Sequence, residues 1–141
     1  MENHFIEDLE NKKQFLRRYR KNVACIARLN EKLKSLDMRI KSVRSPNMSG
    51  MPRGGVPVTL DDLLADKEEL EDRIKDLKKK SKSLKREILS EIDALEDDRY
   101  SEILEAHFID GLPVEMIAEK IGYSERHTYN LYKEALIKIS I

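Results

Sequence analysis

The chain has 141 residues, with 27 Lys and Arg against 27 Asp and Glu; 38% of its residues are charged and 40% are hydrophobic. An average globular domain has roughly 25% charged and 45–50% apolar residues, so this composition argues against a large compact core. A formal net charge of zero excludes a protein that binds polyanions through its overall charge, and any contact with nucleic acid must come from local patches.

Other features of the composition indicate a helical protein of the cytoplasm. Ala, Glu, Lys, Leu and Arg supply 67 of the 141 residues, which is typical of long helices. Cys25 is the single cysteine, which excludes an intramolecular disulfide and fits a reducing compartment. No apolar run approaches the ~20 residues that span a bilayer, and the chain does not begin with a secretory leader. We therefore expect a cytoplasmic protein without membrane contact.

The first predicted element is a long amphipathic helix over residues 1–43. Apolar residues fill 8 of the 11 core positions of a heptad frame there, namely Phe5, Leu9, Leu16, Tyr19, Val23, Ile26, Leu33 and Ile40. Lys12, Asn30 and Asp37 occupy the other three positions. Further apolar residues widen this face on its flanks, namely Phe15, Leu29, Leu36 and Val43. The helix could therefore pack against more than one neighbour.

A linker and a second long helix follow. Residues 42–59 hold three of the five glycines and three of the four prolines, which predicts a flexible linker over residues 44–58. The second helix is predicted for residues 59–96, with Thr59 as its N-cap. Its heptad frame is also apolar at 8 of 11 positions, and Lys67, Ser81 and Glu91 are the polar exceptions.

The pairing of the two long helices is left open by the sequence. They could form an antiparallel hairpin within one chain or a coiled coil between chains. Asn30 and Lys67, which are polar at core positions, are predicted to set the register. A hairpin folded near Met51 brings basic residues of the first helix (17, 18, 20 and 21) level with basic residues at 78–86. Either the helices are offset or paired differently, or these residues form a basic belt that contacts phosphates. The alternative is that they are the solvated faces of a charged coiled coil.

From residue 97 to residue 141 the heptad pattern gives way to three shorter predicted helices. The first runs from Asp97 to Ile109, the second starts at Pro113, and the third starts at Ser124 and runs to about Ile139. A helix of eight residues, a turn with Gly122 and a longer helix are typical of a helix-turn-helix. The offsets of that motif are matched by the small residue Ala118 and by the apolar residues Ile117, Ile121, Tyr123 and Leu131, while Thr128 is the weak member.

In a helix-turn-helix the second helix enters the major groove of DNA through its N-terminal part. The side chains there that packing does not need are Ser124, Glu125, Arg126, His127, Tyr129, Asn130 and Lys133. Arg126 can pair with guanine, Asn130 with adenine, and Glu125 can accept from cytosine. Residues 99–141 carry 5 basic and 7 acidic residues, so one copy should bind weakly. The alternative is a three-helix packing unit that binds nothing.

The segment Leu112–Tyr129, which reads LPVEMIAEKIGYSERHTY, and its continuation to Ala135 and Leu136 resemble region 4 of sigma-70-type transcription factors. The chain is similar to small phage-encoded regulators of the ArpU/RinA type, which activate late transcription in Gram-positive bacteria. The resemblance implies that Glu125, Arg126, Tyr129 and Asn130 face a promoter. Tyr129 departs from the usual basic residue, so the promoter sequence does not transfer. No sigma region 2 is seen, which argues against an independent sigma factor.

The other chemistry that the sequence could carry is discounted. The three histidines are far apart, no CxxC pair exists, and no glycine-rich stretch is followed by the Lys-Ser/Thr of a phosphate loop. We therefore expect no metal, no cofactor and no enzyme activity.

Three functional hypotheses follow from these residues. The first is a phage or prophage transcriptional regulator that binds double-stranded DNA, favoured as a homodimer, with long helices that dimerise it or dock it onto RNA polymerase. The second is a small terminase-like subunit that recognises DNA for packaging. The third is a coiled-coil adaptor whose C-terminal bundle binds a protein.

Overall fold

The computed structural model describes residues 2–44 and 59–141, and within these ranges the chain is all-helical, with no strand. It contains five helices, which are α1 (Glu2–Arg44), α2 (Leu60–Asp93), α3 (Asp98–Phe108), α4 (Val114–Ile121) and α5 (Glu125–Lys138). The predicted all-α class and the long N-terminal helix are confirmed. Residues 45–58 of the predicted linker lie outside the described residues, whereas Arg44 belongs to α1.

The start of α2 agrees with the predicted cap, but its end does not agree with the predicted boundary. The Thr59 hydroxyl accepts a hydrogen bond of 3.1 Å from the backbone N–H of Asp62, as expected of an N-cap. The helix ends at Asp93 instead of residue 96. The Ser101 hydroxyl donates to the carbonyl of Ile92 at 3.0 Å, so α3 supplies a partner for a carbonyl at the end of α2. The heptad pattern continues through the turn because Leu95 still packs against the core there.

The described chain divides into two compact units, of which one spans Val23–Lys79. In this unit Leu36, Ile40 and Leu63 form a small buried cluster. Lys67 Nζ lies 2.9 Å from Asp37 Oδ1 in an ion pair between α1 and α2. The hydrogen bond with Asp37 is the main cause that raises the pKa of Lys67, and the negative charge of Asp37 is the second. Asn30, the other residue predicted to set the register, is exposed in this unit.

The other unit combines Met1–Asn22 with Lys80–Ile141. The residues of its core come from all five helices and include Leu16, Ile88, Ile92, Ile103, Leu104, Ile117, Leu131, Leu136 and Ile139. Within this unit α1 and α2 run antiparallel, because Arg18 pairs with Glu87 at 3.2 Å while the later residue Asn22 bonds to the earlier residue Ser81 at 2.6 Å. The three C-terminal helices therefore share one core with the ends of both long helices.

The buried face of α1 differs from the predicted heptad face. Leu29 and Leu36, which were predicted as flanking residues, are buried, whereas Ile26 and Leu33 are only partly buried. Phe5 is 50% exposed, since Leu9, one turn later, is the first residue of α1 that packs against the core. A straight helix drifts away from a strict seven-residue repeat, which rotates the buried face along its length.

Candidate nucleic-acid interface

The connection between α4 and α5 depends on one glycine. Gly122 has a left-handed backbone with φ +79°, and its N–H donates to the carbonyl of Ala118 at 3.0 Å. The N–H of Tyr123 reaches the same carbonyl at 3.1 Å. A residue without Cβ adopts this conformation at little cost, so the glycine ends α4 as predicted and redirects the chain.

Ser124 begins α5 as the predicted N-cap. Its hydroxyl accepts a hydrogen bond of 3.1 Å from the N–H of His127, and its carbonyl accepts from the Thr128 hydroxyl at 2.9 Å. Thr128 is completely buried. The polar residue that appeared weak in the motif is therefore accommodated, because its hydroxyl has a backbone partner inside the same turn.

The two faces of α5 have different environments. The face that packs on the bundle buries Thr128, Leu131, Tyr132, Ala135 and Leu136. The predicted DNA-contacting residues are all exposed, namely Ser124, Glu125, Arg126, His127, Tyr129, Asn130 and Lys133. All seven therefore lie on the N-terminal two thirds of the helix and outside the core.

Aromatic contacts order part of this exposed surface. The Tyr129 ring meets the Tyr132 ring edge to face, with centroids 5.8 Å apart, and Lys133 Nζ lies 5.6 Å from the Tyr129 centroid. The rings of Tyr123 and His127 are 4.9 Å apart. Tyr123 was predicted to fill an apolar packing position, but it is 39% exposed. That prediction is wrong, because the turn at Gly122 directs Tyr123 toward His127 and solvent.

Two basic side chains of α1 reach the C-terminal helices. Lys12 is buried, and its ammonium donates to the carbonyls of Leu136 and Ile137 at the end of α5. The Arg20 guanidinium lies against Gly111, where an added Cβ would be 2.7 Å from its Cζ and Nη2. Sequence reasoning missed both contacts. For Lys12 a signal existed, since the residue interrupts an otherwise apolar frame.

The N-terminus of α3 has its own polar contacts. Asp97 is the N-cap of α3, and its carboxylate accepts from the side chain and the backbone of Arg99. These hydrogen bonds lower the pKa of Asp97 and raise the pKa of Arg99. The Tyr100 hydroxyl donates to Glu134 at 2.8 Å, and this hydrogen bond raises the pKa of Tyr100. Of these contacts, the Tyr100–Glu134 hydrogen bond joins α3 to α5.

Among residues 2–44 and 59–141, no cluster of three or more His, Cys, Asp or Glu side chains has a geometry that could hold a metal ion. None of the helices in the described parts of the chain combines the length and apolar character needed to cross a membrane.

Comparison with known proteins gives one family. The family model described as "Protein of unknown function (DUF1492)" matches residues 42–140, which is more than half of the chain. The chain belongs to the DUF1492 family. The DUF1492 match extends over α2, α3, α4 and α5 and so includes the whole exposed surface of α5, whereas nearly all of α1 precedes it. No curated protein and no solved structure matched the chain.

Proposed function

We propose that the protein is a sequence-specific DNA-binding regulator of transcription, of phage or prophage origin. In this proposal α4, the turn at Gly122 and α5 act as a helix-turn-helix, and α5 enters the major groove of double-stranded DNA. The long helices dimerise the protein or dock it onto RNA polymerase. The resemblance of residues 112–129 to sigma region 4 supports this assignment.

The observation that carries the proposal is the segregation of the α5 side chains. A helix that reads DNA must spend one face on packing and leave the other for base edges and phosphates. The exposed face of α5 carries Arg126, Asn130 and Glu125, whose side chains match guanine, adenine and cytosine respectively. Ser124, Tyr129 and Lys133, also exposed, can hold phosphates.

A dimer supports this function better than a single copy. Residues 99–141 have two more acidic than basic residues, and neutralisation of phosphates dominates the affinity of proteins for DNA. Two recognition helices on a two-part site would add their contacts. The exposed apolar residues of α1, such as Phe5, Ile6 and Met38, are candidate surfaces for that pairing.

The test is selection of duplexes from a random library by the full-length protein, followed by binding measurements on the selected site. Arg126→Ala and Asn130→Ala should each weaken binding by about 1–3 kcal/mol and relax preference at one base position. Lys138→Ala is the matched control, because Lys138 is exposed on the last turn of the same helix. Unchanged binding by both α5 variants would contradict the proposal.

The mass in solution separates the rival functions. Light scattering with and without the selected duplex should give the mass of a dimer. A protection assay on the same duplex should show a two-part site. A ring of many copies would favour recognition of DNA for packaging. Failure to select any duplex, with the helical content intact, would favour the adaptor, for which the excess of acidic residues in the bundle is the supporting observation.

A further inference from the structure

The segment of α1 over residues 11–22 is strongly basic. It contains six basic residues, Lys12, Lys13, Arg17, Arg18, Arg20 and Lys21, and no acidic residue. Three of the six have partners. Lys12 bonds to the end of α5, Lys13 pairs with Glu10, and Arg18 lies 4.1 Å from the centroid of Phe15 and pairs with Glu87.

The other three basic residues form no ion pair with any residue that the structure describes. Arg17, Arg20 and Lys21 are all exposed. Arg20 and Lys21 lie three and four residues after Arg17, so both neighbour Arg17 on one side of the helix. We call these three residues the α1 basic face. Unpaired charges on one face are available to an external anion, whereas the charges of Lys13 and Arg18 are partly satisfied within the protein.

The α1 basic face lies beside the helices that carry the candidate interface. Burial raises the pKa of the Tyr132 phenol, and the positive charge of Arg17 opposes that rise, so Arg17 lies near Tyr132. The ring of Tyr132 in turn contacts Tyr129 on the exposed surface of α5. Arg20 lies against Gly111, two residues before the N-cap of α4 at Pro113.

The C-terminal helices carry too little positive charge of their own for strong DNA binding. Residues 99–141 have more acidic than basic residues, so their contacts alone supply little of the electrostatic attraction that DNA binding requires. Arg17 near Tyr132 and Arg20 beside Gly111 add unpaired positive charge next to the C-terminal helices. Positive charges beside the recognition helix fit the DNA backbone, which carries no sequence information and lies on either side of the groove.

We infer that Arg17, Arg20 and Lys21 form a phosphate-binding surface for the duplex backbone that flanks the groove occupied by α5. This inference rests on the proposed function and extends the DNA-binding surface from the C-terminal helices to α1. The partner is double-stranded DNA, and its recognition by this surface does not depend on base sequence.

The test replaces the three residues together by Ala in the full-length protein and measures binding to the selected duplex and to a scrambled duplex over a range of salt concentrations. The slope of log K against log salt is negative, and each lost phosphate contact makes it shallower by about 0.9, so its magnitude should fall by about 2–3. Affinity should fall on the order of tenfold or more, by the same factor on both duplexes. Lys replacing Arg17 and Arg20 should retain the slope.

The matched control is the double variant Lys34→Ala and Lys41→Ala, which removes exposed positive charge from the same helix but from the other compact unit. Its slope should stay close to that of the wild type. If the triple variant also keeps the wild-type slope while Arg126→Ala still weakens binding, the inference is wrong and the proposed function stands. If the wild type binds no duplex, both the inference and the proposed function are wrong. Binding to RNA and to anionic vesicles is measured as well, and a triple variant that loses only one of these while it keeps duplex binding would also contradict the inference. Circular dichroism and thermal unfolding verify that each variant is folded.

Discussion

The buried ammonium of Lys12 on α1 donates a hydrogen bond of 3.2 Å to the backbone carbonyl of Leu136 on α5. A second bond of 3.1 Å reaches the carbonyl of Ile137. The last carbonyls of a helix have no partner within the helix, and they lie at the negative end of its dipole. One side chain of the first helix thus satisfies two carbonyls of the helix proposed to contact DNA.

Replacing Lys12 by Met tests this contact, because Met keeps most of the buried stem and removes the donor. A hydrogen bond to a charged group contributes about 1.5–3 kcal/mol, and we expect a loss of that order in the free energy of unfolding. Urea denaturation provides the measurement. Lys13→Met is the control, since the exposed pair of Lys13 with Glu10 should contribute at most about 0.5 kcal/mol. Equal effects of the two substitutions would contradict the role of Lys12.

The buried pair of Asn22 and Ser81 provides a second prediction. The Asn22 amide donates to the Ser81 hydroxyl at 2.6 Å between α1 and α2. Ser81→Ala leaves that donor without this partner, so the variant should lose about 1–3 kcal/mol of stability. In a double-mutant cycle with Asn22→Ala, we expect a coupling energy of about 0.5–1.5 kcal/mol. Strictly additive effects would show that the two side chains do not stabilise each other.

The contact between Gly111 and Arg20 can be tested with Gly122 as the control position. Both have a left-handed backbone, with φ of +76° and +79°, but an added Cβ at Gly122 meets nothing within 4 Å. Alanine at either position should cost about 1–2 kcal/mol because of the backbone conformation. Gly111→Ala must also displace the Arg20 guanidinium. Any stability that Gly111→Ala loses beyond the loss at Gly122 should therefore disappear in an Arg20→Ala background. Thermal unfolding of the two glycine variants, of Arg20→Ala and of the Gly111→Ala and Arg20→Ala double variant provides the measurement.

The buried phenol of Tyr132 should make the protein less stable at alkaline pH. Burial raises the pKa of its phenol above the ordinary value of 10.0, so the folded state holds this proton more tightly than the unfolded state does. The stabilisation is fully present below about pH 10 and is lost as the pH rises through the folded pKa. Tyr132→Phe cannot ionise, so its melting temperature should fall less steeply above pH 10 than that of the wild type. Parallel curves above pH 10 would contradict this role, and the comparison at pH 8 provides the baseline.

The ends of several helices could be predicted from the sequence because they depend on neighbours within a few residues. The Thr59 and Ser124 hydroxyls cap backbone N–H groups three residues later. Gly122 ends α4 because it lacks a Cβ. The exposure of all seven predicted contact residues on α5 also follows from local periodicity, since the apolar residues of this helix mark its buried face.

Burial along the long helices could not be predicted in the same way, because it depends on residues far apart in the chain. The heptad frame does not reveal that Leu29 and Leu36 are more buried than Ile26 and Leu33, because it assumes that the same face stays buried along the whole helix. Lys12 interrupts the apolar frame, and only its contact with α5, more than 120 residues later, explains why a cation is buried there. Local rules therefore account for the helices and their caps, and packing between distant segments selects which polar residues the core accepts.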